Sequence, residues 1–214
     1  MKRSVFLAVI AMLALTVGGQ ALAQTASAYA VLKDKDGKTV GTATLTQTAA
    51  GVQVAVTAEG LTPGAHGFHV HAVGTCTPPD FTSAGGHFNP DGKQHGLQNP
   101  AGAHVGDMPN LVANAAGKAS ATGVAQRATL ASGATSLFDA DGSAVVIHAN
   151  ADDDKTDPTG NAGGRVACGV VTTGQLPSSS TAPAALPLNG IAAAGAALVL
   201  AALGILLRRR RASA

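Results

Sequence analysis

The chain is predicted to fold as an all-β domain, a sandwich or barrel of short strands joined by long loops. Three observations carry that expectation. Val52, Val54 and Val56 alternate with Gln53, Ala55 and Thr57, the period-two pattern of a strand with one buried face. Asp36-Gly37 lies between two β-compatible runs, a strong hairpin signal. The middle of the chain shows no long helical periodicity, and Gly-rich turns recur through it.

In chain order, residues 29–33 and 39–46 form the two arms of the Asp36-Gly37 hairpin, and the valine alternation follows as the next strand. Further strands are expected at 66–72, 118–125, 144–149 and 165–171, each a short run rich in β-branched or small residues. Between His71 and Leu111 the chain is loop-like, dense in Gly, Pro, Asn and Asp. A loop of that length inside a compact domain is usually functional.

The two ends are set apart from the fold. Residues 1–23 read as a secretory signal: Lys2 and Arg3 precede an apolar run from Val5 to Val17, and Ala21-Leu22-Ala23 offers a small-residue cleavage site. Residues 190–207 are uncharged and rich in Ala and Leu, enough for a bilayer core that needs roughly 17–25 apolar residues. The basic tail at 208–214 fits retention on the cytoplasmic side, and residues 174–189, rich in Ser, Pro, Ala and Thr, read as a flexible tether. Leu186-Pro187-Leu188-Asn189-Gly190 resembles a sortase sorting signal but carries Asn189 where Thr is expected. The expectation is therefore an exported protein anchored at the extracytoplasmic face, with a periplasmic or wall-attached product of tail processing as the alternative.

What remains, residues 26–173, is one domain large enough to bury a real core. Six of the fourteen Lys and Arg residues lie in the terminal segments, leaving eight against twelve acidic residues in the domain. That mildly acidic balance argues against nucleic acid as a partner. Cys76 and Cys168 are the two cysteines, and in an exported chain a disulfide between them is the default; two isolated metal ligands are the alternative.

All seven histidines fall between residues 66 and 148, and the first 65 and last 66 positions have none. Neutral imidazole suits both copper and zinc. His69 and His71, two apart on a strand, project from the same face and present two nitrogens together. The long loop offers His87, His95, His104 and Asp107, three imidazoles and a carboxylate that suit tetrahedral zinc. His148 stands alone at the end of another strand.

The stretch Gly64-Ala65-His66-Gly67-Phe68-His69-Val70-His71-Ala72-Val73-Gly74-Thr75-Cys76 resembles the first signature of copper–zinc superoxide dismutases. Gly160-Asn161-Ala162-Gly163-Gly164-Arg165-Val166-Ala167-Cys168-Gly169 resembles the second. Between them, Gly85-Gly86-His87-Phe88-Asn89-Pro90, His95-Gly96 and His104-Val105-Gly106-Asp107 are similar to the family's metal loop in order and spacing. The resemblance implies an eight-stranded antiparallel Greek-key barrel with long metal-binding loops. It implies copper held by His69, His71, His87 and His148, and zinc held by His87, His95, His104 and Asp107, with His87 bridging the two ions. It further implies that Asp152 links His69 to His95, that His66 bonds backbone carbonyls beneath the site, and that Arg165 draws in anionic superoxide with help from the Cys76 carbonyl.

The activity so implied is dismutation of superoxide to dioxygen and hydrogen peroxide, with His87 and Arg165 as the catalytic side chains. A metal-buffering module without turnover, a copper-only relative and a purely structural sandwich are the competing readings. Lys155 is the only other basic residue between Asp152 and Arg165, so steering by several lysines is not expected. A homodimer is left open.

Overall fold

The computed structural model describes residues 26–176. The signal, most of the tether, the apolar segment and the basic tail expected from the sequence lie outside the described residues. Among the described residues no helix is long and apolar enough to cross a membrane.

Among the described residues ten strands form one antiparallel sheet: β1 Ser27–Lys33, β2 Thr39–Thr48, β3 Gly51–Ala58, β4 Gly64–His66, β5 Phe68–His71, β6 Leu111–Ala113, β7 Ala119–Gln126, β8 Ala144–His148, β9 Arg165–Val170 and β10 Thr172–Thr173. Their order is β4-β6-β7-β3-β2-β1-β9-β8-β5, with β10 also pairing β1. The two ends of that order, β4 and β5, are one stretch of chain interrupted only by Gly67. The sheet therefore curls into a nearly closed barrel, which leaves few free edges. Taking β4 with β5 and β9 with β10 as continuous segments leaves eight strands, as the family resemblance implied. Greek-key crossovers arise because β4 and β8 each follow a strand they do not pair with.

The hairpin at Asp36-Gly37 forms as predicted. Gly37 takes φ 79°, and Asp34 Oδ1 accepts from the backbone N–H of Asp36 and of Lys38, each at 3.0 Å. The valine strand is β3, where Val52, Val54 and Val56 are buried and Gln53, Ala55 and Thr57 are exposed. Each of those valines contributes on the order of 1.5–3 kcal/mol by leaving water. They join Leu32, Leu45, Phe68, Val70, Leu111 and Ile147 in the main core.

Two expectations need correction. The strand predicted at 66–72 is split at Gly67, where a Cβ would lie 3.0 Å from Ala162 Cβ and 3.1 Å from His69 Cε1. A larger residue there would have to displace Ala162, His69 or Asp152 by a few tenths of an ångström. The long loop is also less irregular than its composition suggests. Its segment around residues 84–88 runs antiparallel beside β5 and its continuation: Phe88 N–H donates to Val70 O at 2.8 Å, Ala72 N–H to Gly86 O at 2.9 Å, and Val73 N–H to Ala84 O at 3.1 Å. Gly106 closes the same patch, with Val70 N–H donating to its carbonyl at 3.0 Å.

Cys76 and Cys168 form a disulfide with Cα atoms 5.7 Å apart and a separation of 92 in sequence. Cys76 and Cys168 pack with Phe81, Ala84, Ala144 and Val146 in a second, smaller core. In the chain-entropy account, closing so long a loop stabilises the fold by about 4–5 kcal/mol.

Candidate metal centre

Alternation along β5 and β8 decides which side chains enter the site. Phe68 and Val70 point into the main core, so His69 and His71 point to the opposite face. On β8, Val145 and Ile147 join the main core while Ala144 and Val146 face the disulfide side. His148 follows in the same phase as Val146, which pairs His69 across the ladder. Three histidines from two paired strands thus meet under the long loop, and the backbone pairing of His71 with His87 brings in a fourth.

One ligand atom each from His69, His71, His87 and His148 lies within 4.8 Å of the others, and all four residues are buried. The same holds for His87, His95, His104 and Asp107. His87 is common to both groups. Its Nδ1 lies 3.0 Å from Asp107 Oδ1 and 3.4 Å from His104 Nδ1, while Nε2 has no hydrogen-bond partner. Within the loop group, Asp107 Oδ1 is also 3.0 Å from His95 Nδ1 and 3.4 Å from His104 Nδ1. Tetrahedral zinc with bonds of about 2.0 Å has ligand–ligand edges of about 3.3 Å. The measured spacings match that figure.

The strand group fits a cation by a different sign. Two buried ring nitrogens, Nδ1 of His69 and Nε2 of His87, have no hydrogen-bond partner among the described residues. Leaving such atoms unpaired costs about 1–3 kcal/mol each, and a metal ion is the partner that suits both. His71 Nε2 and His148 Nε2 converge on the same place, 3.2 Å apart. The outer nitrogens of these rings are tied down: His71 Nδ1 to Gly85 O at 3.0 Å and His148 Nδ1 to Gly163 O at 3.2 Å. Anchoring of this kind orients a ligand and sets its tautomer.

Asp152 joins the two groups. Its Oδ2 lies 2.6 Å from His69 Nε2 and its Oδ1 3.0 Å from His95 Nε2. Gly160 covers this carboxylate so closely that a Cβ there would fall 1.8 Å from Oδ1. His66, placed beneath the site, bonds His148 O at 2.7 Å through Nδ1 and Thr62 O at 2.8 Å through Nε2.

The protonation pattern follows from burial and charge. Burial, followed by repulsion from His87, holds His71 well below the usual imidazole value. Burial likewise pulls His87 down to about 4 and His148 to about 3. Neutral imidazoles with free lone pairs are what a metal requires. His95 goes the other way. Burial lowers it, but the carboxylates of Asp107 and Asp152 together push it up to about 10. Burial tends to raise Asp107, yet hydrogen bonds from His104, His87, His95 and the Gly96 backbone keep it far below the normal carboxylate range. The loop pocket is therefore one that favours positive charge.

Arg165 begins β9 opposite His148. Its guanidinium donates to the carbonyls of Phe81 and Gly85. The expected Cys76 carbonyl is not its partner: the disulfide holds the segment 76–85 in place, and residues further along that segment supply the acceptors. Gly85 O also accepts from His71, so one carbonyl positions both the arginine and a histidine of the strand group. Asp157 was not anticipated. Its Oδ1 accepts from His95 N–H at 2.6 Å and lies 3.8 Å from His104 Nε2. It comes from a turn 62 residues away, a distance no local pattern spans.

Comparison with known proteins agrees with this arrangement. A family model described as copper/zinc superoxide dismutase (SODC) matches residues 39–171. "Superoxide dismutase [Cu-Zn] 2" of Aquifex aeolicus is 46% identical over 150 residues, 69% of this chain and 88% of that protein. "Superoxide dismutase [Cu-Zn]" of Caulobacter vibrioides is 47% identical over 148 residues, 68% and 85% of the two chains. The crystal structure of a SOD-like protein from Bacillus subtilis, 41% identical, covers 66% of this chain and 96% of its own with a TM-score of 0.64. Barrel, histidine groups and sequence similarity lead to one conclusion: the chain belongs to the copper/zinc superoxide dismutase family.

Proposed function

We propose that this protein converts superoxide to dioxygen and hydrogen peroxide, with copper held by His69, His71, His87 and His148 and zinc by His87, His95, His104 and Asp107. The observation that carries this is His87, whose two ring nitrogens face two separate ligand groups. Bound copper would supply one-electron chemistry, oxidising one superoxide and reducing the next, while zinc has no redox role. The sum is two superoxide ions and two protons giving one dioxygen and one hydrogen peroxide.

The chain's own residues then have distinct tasks. His87 Nε2 holds a proton between the two half-reactions and gives it to the product. Arg165 docks the anion, its guanidinium oriented by two carbonyls that also fix the direction of His71. Asp152 keeps His69 and His95 in the tautomers that point Nδ1 inward. Residues 26–173 form the working domain. Residues 1–23 direct export, and 190–207 with the 208–214 tail hold the domain at the extracytoplasmic face through the 174–189 tether. The disulfide supports an oxidising compartment. Assembly as a homodimer is left to the same preparation, by its mass in solution.

Metal analysis and turnover test the reading together. One copper and one zinc per chain with cyanide-sensitive superoxide consumption is the expected result; two metals without turnover would favour a metal buffer. In the same assay, Arg165→Ala should lower kcat/KM roughly tenfold, the cost of one charge-assisted contact of about 1.5 kcal/mol, with metal content unchanged.

A further inference from the structure

The outer nitrogens of the histidine ligands differ in how they are held. Those of His69, His71, His95 and His148 each have a hydrogen-bond partner within the chain. His87 turns both nitrogens inward. His104 differs from all of these: its Nε2 faces Asp157 Oδ1 at 3.8 Å, too long for a hydrogen bond. Asp157 is itself 46% exposed, whereas Asp107 and Asp152 are 1% exposed. The same Oδ1 accepts from His95 N–H at 2.6 Å, so one oxygen spans the segments that deliver two members of the loop group.

A cleft of about 220 Å³ is lined by Leu97, Gly102, Ala103, His104, Asp107, Gln126 and Arg127, so His104 borders solvent as well as Asp157. His104 is thus the ligand whose outer support is weakest, its partner lying at 3.8 Å on a half-exposed carboxylate.

Resting on the metal assignment above, we infer that Asp157 is a positioning residue for zinc: it orients His104 and His95 and sets how long zinc stays bound, without affecting copper. Outer partners of metal-bound histidines are worth about 10–100-fold in affinity, and an exposed carboxylate belongs at the lower end of that range. Zinc release should begin at His104, where water competes on the cleft side, while Asp152 keeps His95 in place.

Asp157→Asn and Asp157→Ala test this on the full metallated chain. The asparagine keeps an oxygen for His95 N–H but removes the charge facing His104; the alanine removes both. Zinc transfer to a chromophoric chelator should quicken about tenfold in each variant. Copper content should stay constant, and the visible spectrum of cobalt placed in the zinc site should shift. Zinc release from Asp157→Asn at the unsubstituted rate, with an unshifted cobalt spectrum, would overturn the inference and leave Asp157 as a backbone anchor only. Equal loosening of copper and zinc would overturn it too, as general destabilisation. A failure of the unsubstituted chain to take up zinc would instead overturn the zinc assignment, and this inference with it.

Discussion

The two ligand groups of one centre are built in opposite ways. His69, His71 and His148 sit on paired strands whose alternate residues anchor the main core, so their positions come with the barrel. His95, His104 and Asp107 sit on a loop held by glycine turns, a few backbone pairings and their own polar contacts. Burial keeps His71 and His148 neutral, whereas carboxylates make the loop group attractive to cations. The contrast teaches that strands present side chains in advance through their alternation, while the loop must bring its own together through turns and polar contacts. His87 lies where the two designs meet.

Breaking the meeting point has the largest expected effect. His87→Ala removes a ligand from each group, so both metals should fall well below one per chain and superoxide consumption should drop by more than about a hundredfold, beyond what loss of an outer partner costs. Retention of full copper and turnover by that variant would show that the groups work separately.

The pH dependence of the metal-free protein sharpens the comparison. His87 and His148 have folded values of about 4 and 3, below the ordinary 6.5, so the unfolded chain binds more protons between those values. Stability should therefore fall as pH drops from 6.5 to 4, by on the order of 2–3 kcal/mol per group. His95 is raised to about 10, so its contribution is complete below 6.5 and is lost as pH rises towards 10. Melting temperature should peak near pH 6.5, with an acid limb owned by the strand side and an alkaline limb owned by the loop. Asp152→Asn should flatten the alkaline limb; an unchanged limb would remove His95 from that account.

The smallest effect is local. Selective zinc removal should raise amide hydrogen exchange across the loop between His87 and Asp107 by about tenfold, while amides of β3, β5 and β8 stay protected. Equal change in strands and loop would mean that zinc stabilises the whole barrel.

Much of this was legible in advance where the pattern is local. The Val52, Val54, Val56 alternation, the turn at Asp36-Gly37 and the His69–His71 pair each depend on neighbours within a few residues. The family motifs extended that reach to His148, Asp152 and Arg165. The break at Gly67 escaped, because its backbone bonds to residues 148 and 150, more than 80 positions away. So did the antiparallel segment around residues 84–88, whose glycines read as irregular loop until β5 offers them a ladder.

The sequence by itself determined the chemistry available: seven histidines, their carboxylates, one cysteine pair, and a period-two pattern that makes strands. Tertiary structure alone decided which nitrogen of each ring faces inward, that the Phe81 and Gly85 carbonyls hold Arg165, and that Asp157 stands beside His95 and His104. The reason is physical. Periodicity is set by the backbone within a few residues, whereas ring orientation and carboxylate pairing are set by atoms 12 to 83 residues apart that meet only when the barrel and its loops close.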